Sequence, residues 1–242
     1  MDRRAATALV GTFILGGCGG GGSGEPAATS SAPGPATSAP PGSAPAPAPV
    51  TAAATSRNIA IWGDSLTPAV AANLQYLCPD RTVFDGGVNG QTSTQIAARQ
   101  MADQGRMSWI AVLWYGANNP GEPAQIEADV AASIAALAAA GNNRFLVLSV
   151  VNEATPESIR GGPVYATIIQ TNTALASRYP ANYFDIRSYL VAQFDPNQPQ
   201  DVIDNQNDVP PTSLRYDEIH LRNPGSLLVA AKIKELVEAR GW

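Results

Sequence analysis

The sequence predicts an α/β domain, three layers deep in the order α/β/α, around a five-stranded, parallel, doubly wound sheet of the flavodoxin-like kind. Three observations predict it. From Asn58 onward, short apolar runs alternate with longer segments of helical period, the mark of parallel βαβ units and not of an all-β body. Hydrophobic residues make up 45% of the 242-residue chain and charged ones 14%, a balance that suits a substantial core and excludes collagen, coiled coil and wholesale disorder. Gly/Asn-rich punctuation falls after the strands, where an open parallel sheet carries its functional loops. The simplest strand order under right-handed crossovers is 2-1-3-4-5.

The first strand is expected over residues 59–62 and is followed by a helix over 68–77. The second strand, 82–84, precedes a helix over 94–103, and the third occupies 109–114. In the next helix, 123–140, Ile126, Val130, Ile134 and Leu137 fall on one face, and Gly141 stops it. A fourth strand over 144–151, a helix over 164–178, a fifth strand over 183–186 and a last helix over 225–240 complete the pattern. Two polar stretches, 152–163 and 191–216, read as long loops, which at such lengths are usually functional or mobile.

The amino-terminal part has a different composition. Arg3 and Arg4 precede an apolar run over 5–14 that ends in Leu15-Gly16-Gly17-Cys18, as in a secretory signal. The run falls short of the roughly 20 residues a membrane-spanning helix needs. Leu15 to Cys18 resembles a bacterial lipobox, so residues 1–18 are expected to be a lipoprotein-type signal with lipid on Cys18, and the resemblance implies a place in the cell envelope, at the outer membrane. Apart from Glu25 and Val50, residues 19–56 are only Gly, Ser, Ala, Pro and Thr, a composition expected to form a disordered tether ahead of a domain over 57–242. Cys78 is the other cysteine; a disulfide with Cys18 would tie leader to body, so Cys78 reads as a small, partly buried residue and not as a nucleophile. A net charge of −5 excludes a nucleic-acid partner, whose phosphates demand a basic surface.

Four loop blocks carry candidate chemistry. Gly63-Asp64-Ser65-Leu66-Thr67 follows the first strand and sets Ser65 at a helix N-terminus, either as a cap or as a nucleophile. The stretches 86–93 and 115–120 are Gly/Asn loops at the same sheet edge, readable as turns or as oxyanion donors. His220, the chain's single histidine, stands three residues after Asp217, so one turn of loop can bring the carboxylate to Nδ1 and leave Nε2 facing the cleft. Glu218 is the substitute for Asp217. One His and one lone Cys cannot build the usual zinc site, and Thr67 breaks the Gly-x-Ser-x-Gly elbow of α/β-hydrolases.

Taken in order, Gly63-Asp64-Ser65-Leu66, the Gly90 loop, Gly116-Ala117-Asn118-Asn119 and Asp217-x-x-His220 resemble the blocks of the SGNH, or GDSL, hydrolase superfamily over residues 58–242. The resemblance implies Ser65 as nucleophile, Asp217 and His220 as its partners, and Gly90 and Asn118, with the Ser65 backbone N–H, as oxyanion donors. Gly87 is the alternative to Gly90. Asn119 stands where the family usually has Asp, which puts the local hydrogen bonding of that loop in question.

The activity so implied is hydrolysis of short, acetyl-like acyl esters through an acyl-enzyme, without a cofactor, by a monomer whose substrate is a small ester or an acylated glycan. The rivals are a lipid-directed esterase or lysophospholipase, an acyltransferase of the same fold, and an inactive tethered binding module.

Overall fold

The structure is a computed structural model that describes residues 56–242. The signal and lipid readings, Cys18 included, and all of the tether reading but its last residue lie outside the described residues. That last residue, Ser56, is fastened to the body: its carbonyl accepts a hydrogen bond from Arg144 Nη1 at 2.7 Å.

Five parallel strands, β1 (Ile59–Gly63), β2 (Val83–Gly87), β3 (Ile110–Trp114), β4 (Phe145–Leu148) and β5 (Tyr183–Phe184), lie in the order β2-β1-β3-β4-β5. The helices are α1 (Thr67–Leu77), α2 (Ser93–Ala102), α3 (Pro123–Ala139), α4 (Pro163–Arg178), α5 (Ile186–Val191), α6 (Pro199–Gln206) and α7 (Asn223–Ala239). Alternation along the strands sends side chains to both faces. On one face Ile59, Ile61, Val112 and Leu148 pack with Val70 and Leu74 of α1, Ile186 of α5 and Ile233 of α7. On the other, Ala60, Trp62, Leu113 and Val147 meet Ile96 of α2, Ile126 and Val130 of α3 and Leu175 of α4. Both faces are covered, as a parallel sheet requires.

The register aligns the exits of the three central strands. Gly63 pairs with Gly87 on one side and with Trp114 on the other, so the loops after β1, β2 and β3 leave from one row. At Gly63 a Cβ would lie 2.2 Å from Thr67 Oγ1 and 2.9 Å from the Trp114 carbonyl, so only glycine lets α1 turn this close to β3.

Four expectations are corrected. β2 runs on through Gly86 and Gly87, because Gly86 lies against Trp62, whose ring a Cβ would approach to 2.9 Å. β4 ends at Leu148 because Asn172 takes over the backbone of Val150, accepting from its N–H at 2.8 Å and donating to its carbonyl at 2.9 Å. β5 stops at Phe184, since Asp185 caps α5 through the Ser188 N–H at 3.0 Å. The stretch 191–216 is not a bare loop: it contains α6 and a 3₁₀ turn, Thr212–Leu214. Among the described residues no helix is long and apolar enough to cross a membrane.

Candidate active site

Ser65 leaves β1 in the turn that opens α1. The N-cap of α1 is Leu66, with no side-chain cap, so Ser65 does not cap the helix. Its Oγ instead lies 2.8 Å from His220 Nε2. On the other side of the ring, His220 Nδ1 is 2.8 Å from Asp217 Oδ2. The three expected side chains thus form one hydrogen-bonded line, while Glu218, exposed beside them, makes no side-chain bond to a described residue.

The Asp217 turn is tied by polar contacts. Asp217 Oδ1 accepts the backbone N–H groups of Ile219 at 3.0 Å and His220 at 2.7 Å. Burial pushes the Asp217 carboxyl up, but these two donors and the imidazole outweigh it and hold its pKa below the ordinary aspartate value. Arg215 pairs with Leu221 across a short antiparallel bridge, and its Nη1 donates to the Asp217 carbonyl at 2.8 Å. The Tyr216 ring stacks on the imidazole, with centroids 5.6 Å apart and planes 12° from parallel.

Opposite this turn stand the candidate oxyanion donors. Neither the Ser65 N–H nor the Gly90 N–H has a partner among the described residues, and Gly90 adopts a φ of 75° with open space where a Cβ would stand. The Gly87 N–H is engaged with Asp85 Oδ1 at 2.8 Å, which favours Gly90 of the two glycines. Asn118 is exposed, spends one amide hydrogen on the Gln91 carbonyl at 3.1 Å, and also lies beside the Asp64 carboxyl, whose pKa it helps to lower.

Asn119 points away from this mouth and is buried. Its Oδ1 accepts from the Ser93 N–H at 3.0 Å, and its Nδ2 donates to Ser93 Oγ at 3.0 Å and to Glu122 Oε2 at 3.1 Å. Ser93 Oγ in turn donates to Asp129. An amide is the group this site needs, because an aspartate here would face Glu122 and could not donate. Cys78 is buried in the core, and burial raises its thiol pKa, so it stays an inert packing residue.

Asp64 is the unexpected member. It is 1% exposed, its Oδ1 accepts the Leu66 N–H at 3.0 Å, and its Oδ2 is buried with no partner. Burial pushes its pKa up to about 6, against the opposing pull of the Leu66 donor and the nearby imidazole.

Sequence reasoning also passed over two arginines. Arg99 of α2 grips the ends of β1 and β2, donating to the Gly63 carbonyl at 3.2 Å, the Gly86 carbonyl at 2.9 Å and Gln91 Oε1 at 2.6 Å. Arg215 holds the Asp217 turn. Both look in sequence like solvated charges, and only the position of Arg215 two residues before Asp217 hinted at a role.

No protein-family model and no curated protein match the sequence. Solved structures do match. A GDSL-like lipase from Bacteroides thetaiotaomicron superposes with a TM-score of 0.60 at 18% identity, covering 76% of this chain and 89% of that one. The psychrotrophic esterase EstA from Pseudoalteromonas gives 0.56 at 14% identity over 76% and 97% of the two chains. An acetylxylan esterase from Geobacillus stearothermophilus gives 0.52 at 14% identity over 75% and 94%. The chain therefore has the SGNH hydrolase fold.

Proposed function

We propose that this chain is a serine ester hydrolase of the SGNH type that cleaves short acyl esters through an acyl-enzyme. The observation that carries the reading is the line from Asp217 through His220 to Ser65, joined by two hydrogen bonds of 2.8 Å. Ser65 Oγ attacks the acyl carbon while its proton passes to His220 Nε2, and Asp217 balances the imidazolium. The carbonyl electron pair collects on oxygen, facing the N–H groups of Ser65 and Gly90 and the Asn118 amide. Collapse expels the alcohol with the proton from His220 and leaves the acyl group on Ser65. His220 then deprotonates water, whose attack releases the acid and restores the serine. The cycle closes with these groups alone.

The loops around Ser65 present Asn89, Gln91 and Asn118, with Val88 as the exposed large apolar side chain among them. A long acyl chain gains its roughly 0.8 kcal/mol per CH₂ only against apolar wall, so acetyl to butyryl groups suit the site. The natural substrate we infer is an acylated glycan, met in the cell envelope by an enzyme held through lipid on Cys18. Turnover of 4-nitrophenyl acetate, butyrate, octanoate and palmitate tests the chemistry: kcat/KM is expected to fall beyond butyrate, and a steady rise through octanoate would assign the enzyme to lipids. Failure both to turn over any of them and to form a phosphonate adduct on Ser65 would leave only a binding module. Membrane fractionation of wild type against Cys18→Ser tests the anchor, and equal partition of the two would reject it.

A further inference from the structure

The two long polar stretches meet beside the Asp217 turn and enclose a cavity of about 400 Å³, within the size range of small-molecule sites. One wall comes from residues 154–159, another from α6 and the segment leading to Arg215, and the rim is Tyr216, Asp217 and Glu218. The cavity shares Asp217 with the catalytic line, so it begins one imidazole ring and two hydrogen bonds of 2.8 Å from Ser65 Oγ. That span exceeds one sugar ring, so the cavity lies within reach of the next ring of a glycan whose ester lies at Ser65.

The floor is built and internally paired. Asp204 Oδ2 accepts from the Thr212 N–H and hydroxyl at 2.6 Å each and from Arg215 Nη2 at 2.9 Å. Arg215 Nε donates to the Pro210 carbonyl at 2.8 Å. The walls are fastened to each other: Asn152 Nδ2 donates to the carbonyls of Ser158 at 2.8 Å and Asp208 at 3.1 Å, and Arg187 pairs with Asp208. The floor's charges are thus satisfied before any ligand arrives, so the cavity does not call for an ion.

Its upper lining is different. The side chains of Thr155, Asn207 and Glu218, the Tyr216 hydroxyl and the outer nitrogens of Arg222 make no hydrogen bond to a described residue. Donors and acceptors are mixed there, as hydroxyl groups that both give and take protons require. Tyr216 is 59% exposed, with one face on the imidazole and its body at the cavity rim, an aromatic surface with a polar tip.

We propose that this cavity is a saccharide subsite, in which Tyr216 and the unpartnered polar groups hold a neutral sugar on the alcohol side of the scissile ester. The proposal rests on the reading of Ser65 as the acyl-accepting nucleophile and names the substrate class of that same site. It excludes a purely lipid alcohol, which would find little to bind among these groups.

Two measurements test it. In the first, binding of acetylated xylo-, cello- and chito-oligosaccharides to Ser65→Ala protein is followed by calorimetry, with Asn207→Ala and Tyr216→Ala added to that background. At least one oligosaccharide is expected to bind, and each added substitution to weaken it about tenfold, the scale of a lost hydrogen bond or stacked face. No binding by any of the three, or binding indifferent to both substitutions, overturns the subsite. In the second, kcat/KM of Asn207→Ala is expected to drop about tenfold more for the bound oligosaccharide ester than for 4-nitrophenyl acetate, with the exposed Tyr76→Ala at the far end of α1 as a control for both. Equal losses on the two esters would reduce the cavity to a support of the triad, and a matching loss on lysophosphatidylcholine would transfer it to lipid head groups. Should wild type fail on 4-nitrophenyl acetate while the oligosaccharide still binds, the catalytic reading falls and the subsite stands.

Discussion

The turn that carries Ser65 and the turn that carries His220 face each other across one hydrogen bond but are held by different physics. The first grows from β1, whose five residues are all buried, and is fitted by packing: Gly63 against Thr67 and Trp114, Leu66 in the core. The second lies outside the sheet and is held by directed polar contacts, the two N–H bonds to Asp217 Oδ1 and the guanidinium of Arg215. Ser65 is placed mainly by packing and His220 mainly by directed polar contacts. The two halves should therefore fail under different insults.

The largest effect joins them. Ser65→Ala or His220→Ala should each lower kcat by about 10⁴-fold, and the double variant should be little worse, because the pair acts as one unit. Additive losses in steady-state kinetics would mean that the two turns act separately. Next comes the charge-held half: Arg215→Ala strands Asp204 in a buried site and should cost about 3–5 kcal/mol by denaturant unfolding, as removal of one partner of a buried pair does. A loss below 1 kcal/mol would show that the Asp217 turn does not depend on it.

Asn118→Ala should lower kcat about 10²–10³-fold with little change in stability, whereas Asn119→Ala should leave Ser93 and Glu122 short of a partner and act on stability, by about 1–3 kcal/mol. Reversed effects would shift the donor by one residue.

Asp64 gives the packing-held half its own pH signature. The folded state keeps this proton up to about pH 6 while an ordinary aspartate releases it near 3.8, so the fold binds more protons between those values. Stability contributed by this group is therefore present at low pH and declines as pH rises through that window, by about 3 kcal/mol in all. Asp64→Asn should remove the slope: the difference in Tm between wild type and variant should widen from pH 4 to 6 and stay level above. Parallel curves would refute it. Gly63→Ala, on the scale of Asn119→Ala, is expected to cost about 1–3 kcal/mol by forcing Thr67 and the Trp114 carbonyl aside, read by thermal melting.

Strand order and the meeting of Ser65, His220 and Asp217 could be read from the sequence because both are written in local signals: apolar runs of strand length, and blocks of rare residue types at loop positions. α6 could not. Its buried residues are Asp201 and Asp204, satisfied by Ser213, Thr212 and Arg215, so its inward face has no apolar period to detect. α5 is short, and its cap, Asp185, follows two strand residues without a break. Arg215 acts through Asp204 of that hidden helix and Tyr216 through the ring of His220, and neither belongs to a spacing that announces a role.

The direction of β1 has a consequence for reach. Ser56 is bound to Arg144 at the rear of the sheet, where the parallel strands begin, and Ser65 stands at the front, five strand residues or about 16 Å further on. Anything joined to the amino end thus pulls on the back of the body. A lipid on Cys18, as proposed, would act on the end of the sheet opposite Ser65 and leave the mouth itself free of the attachment.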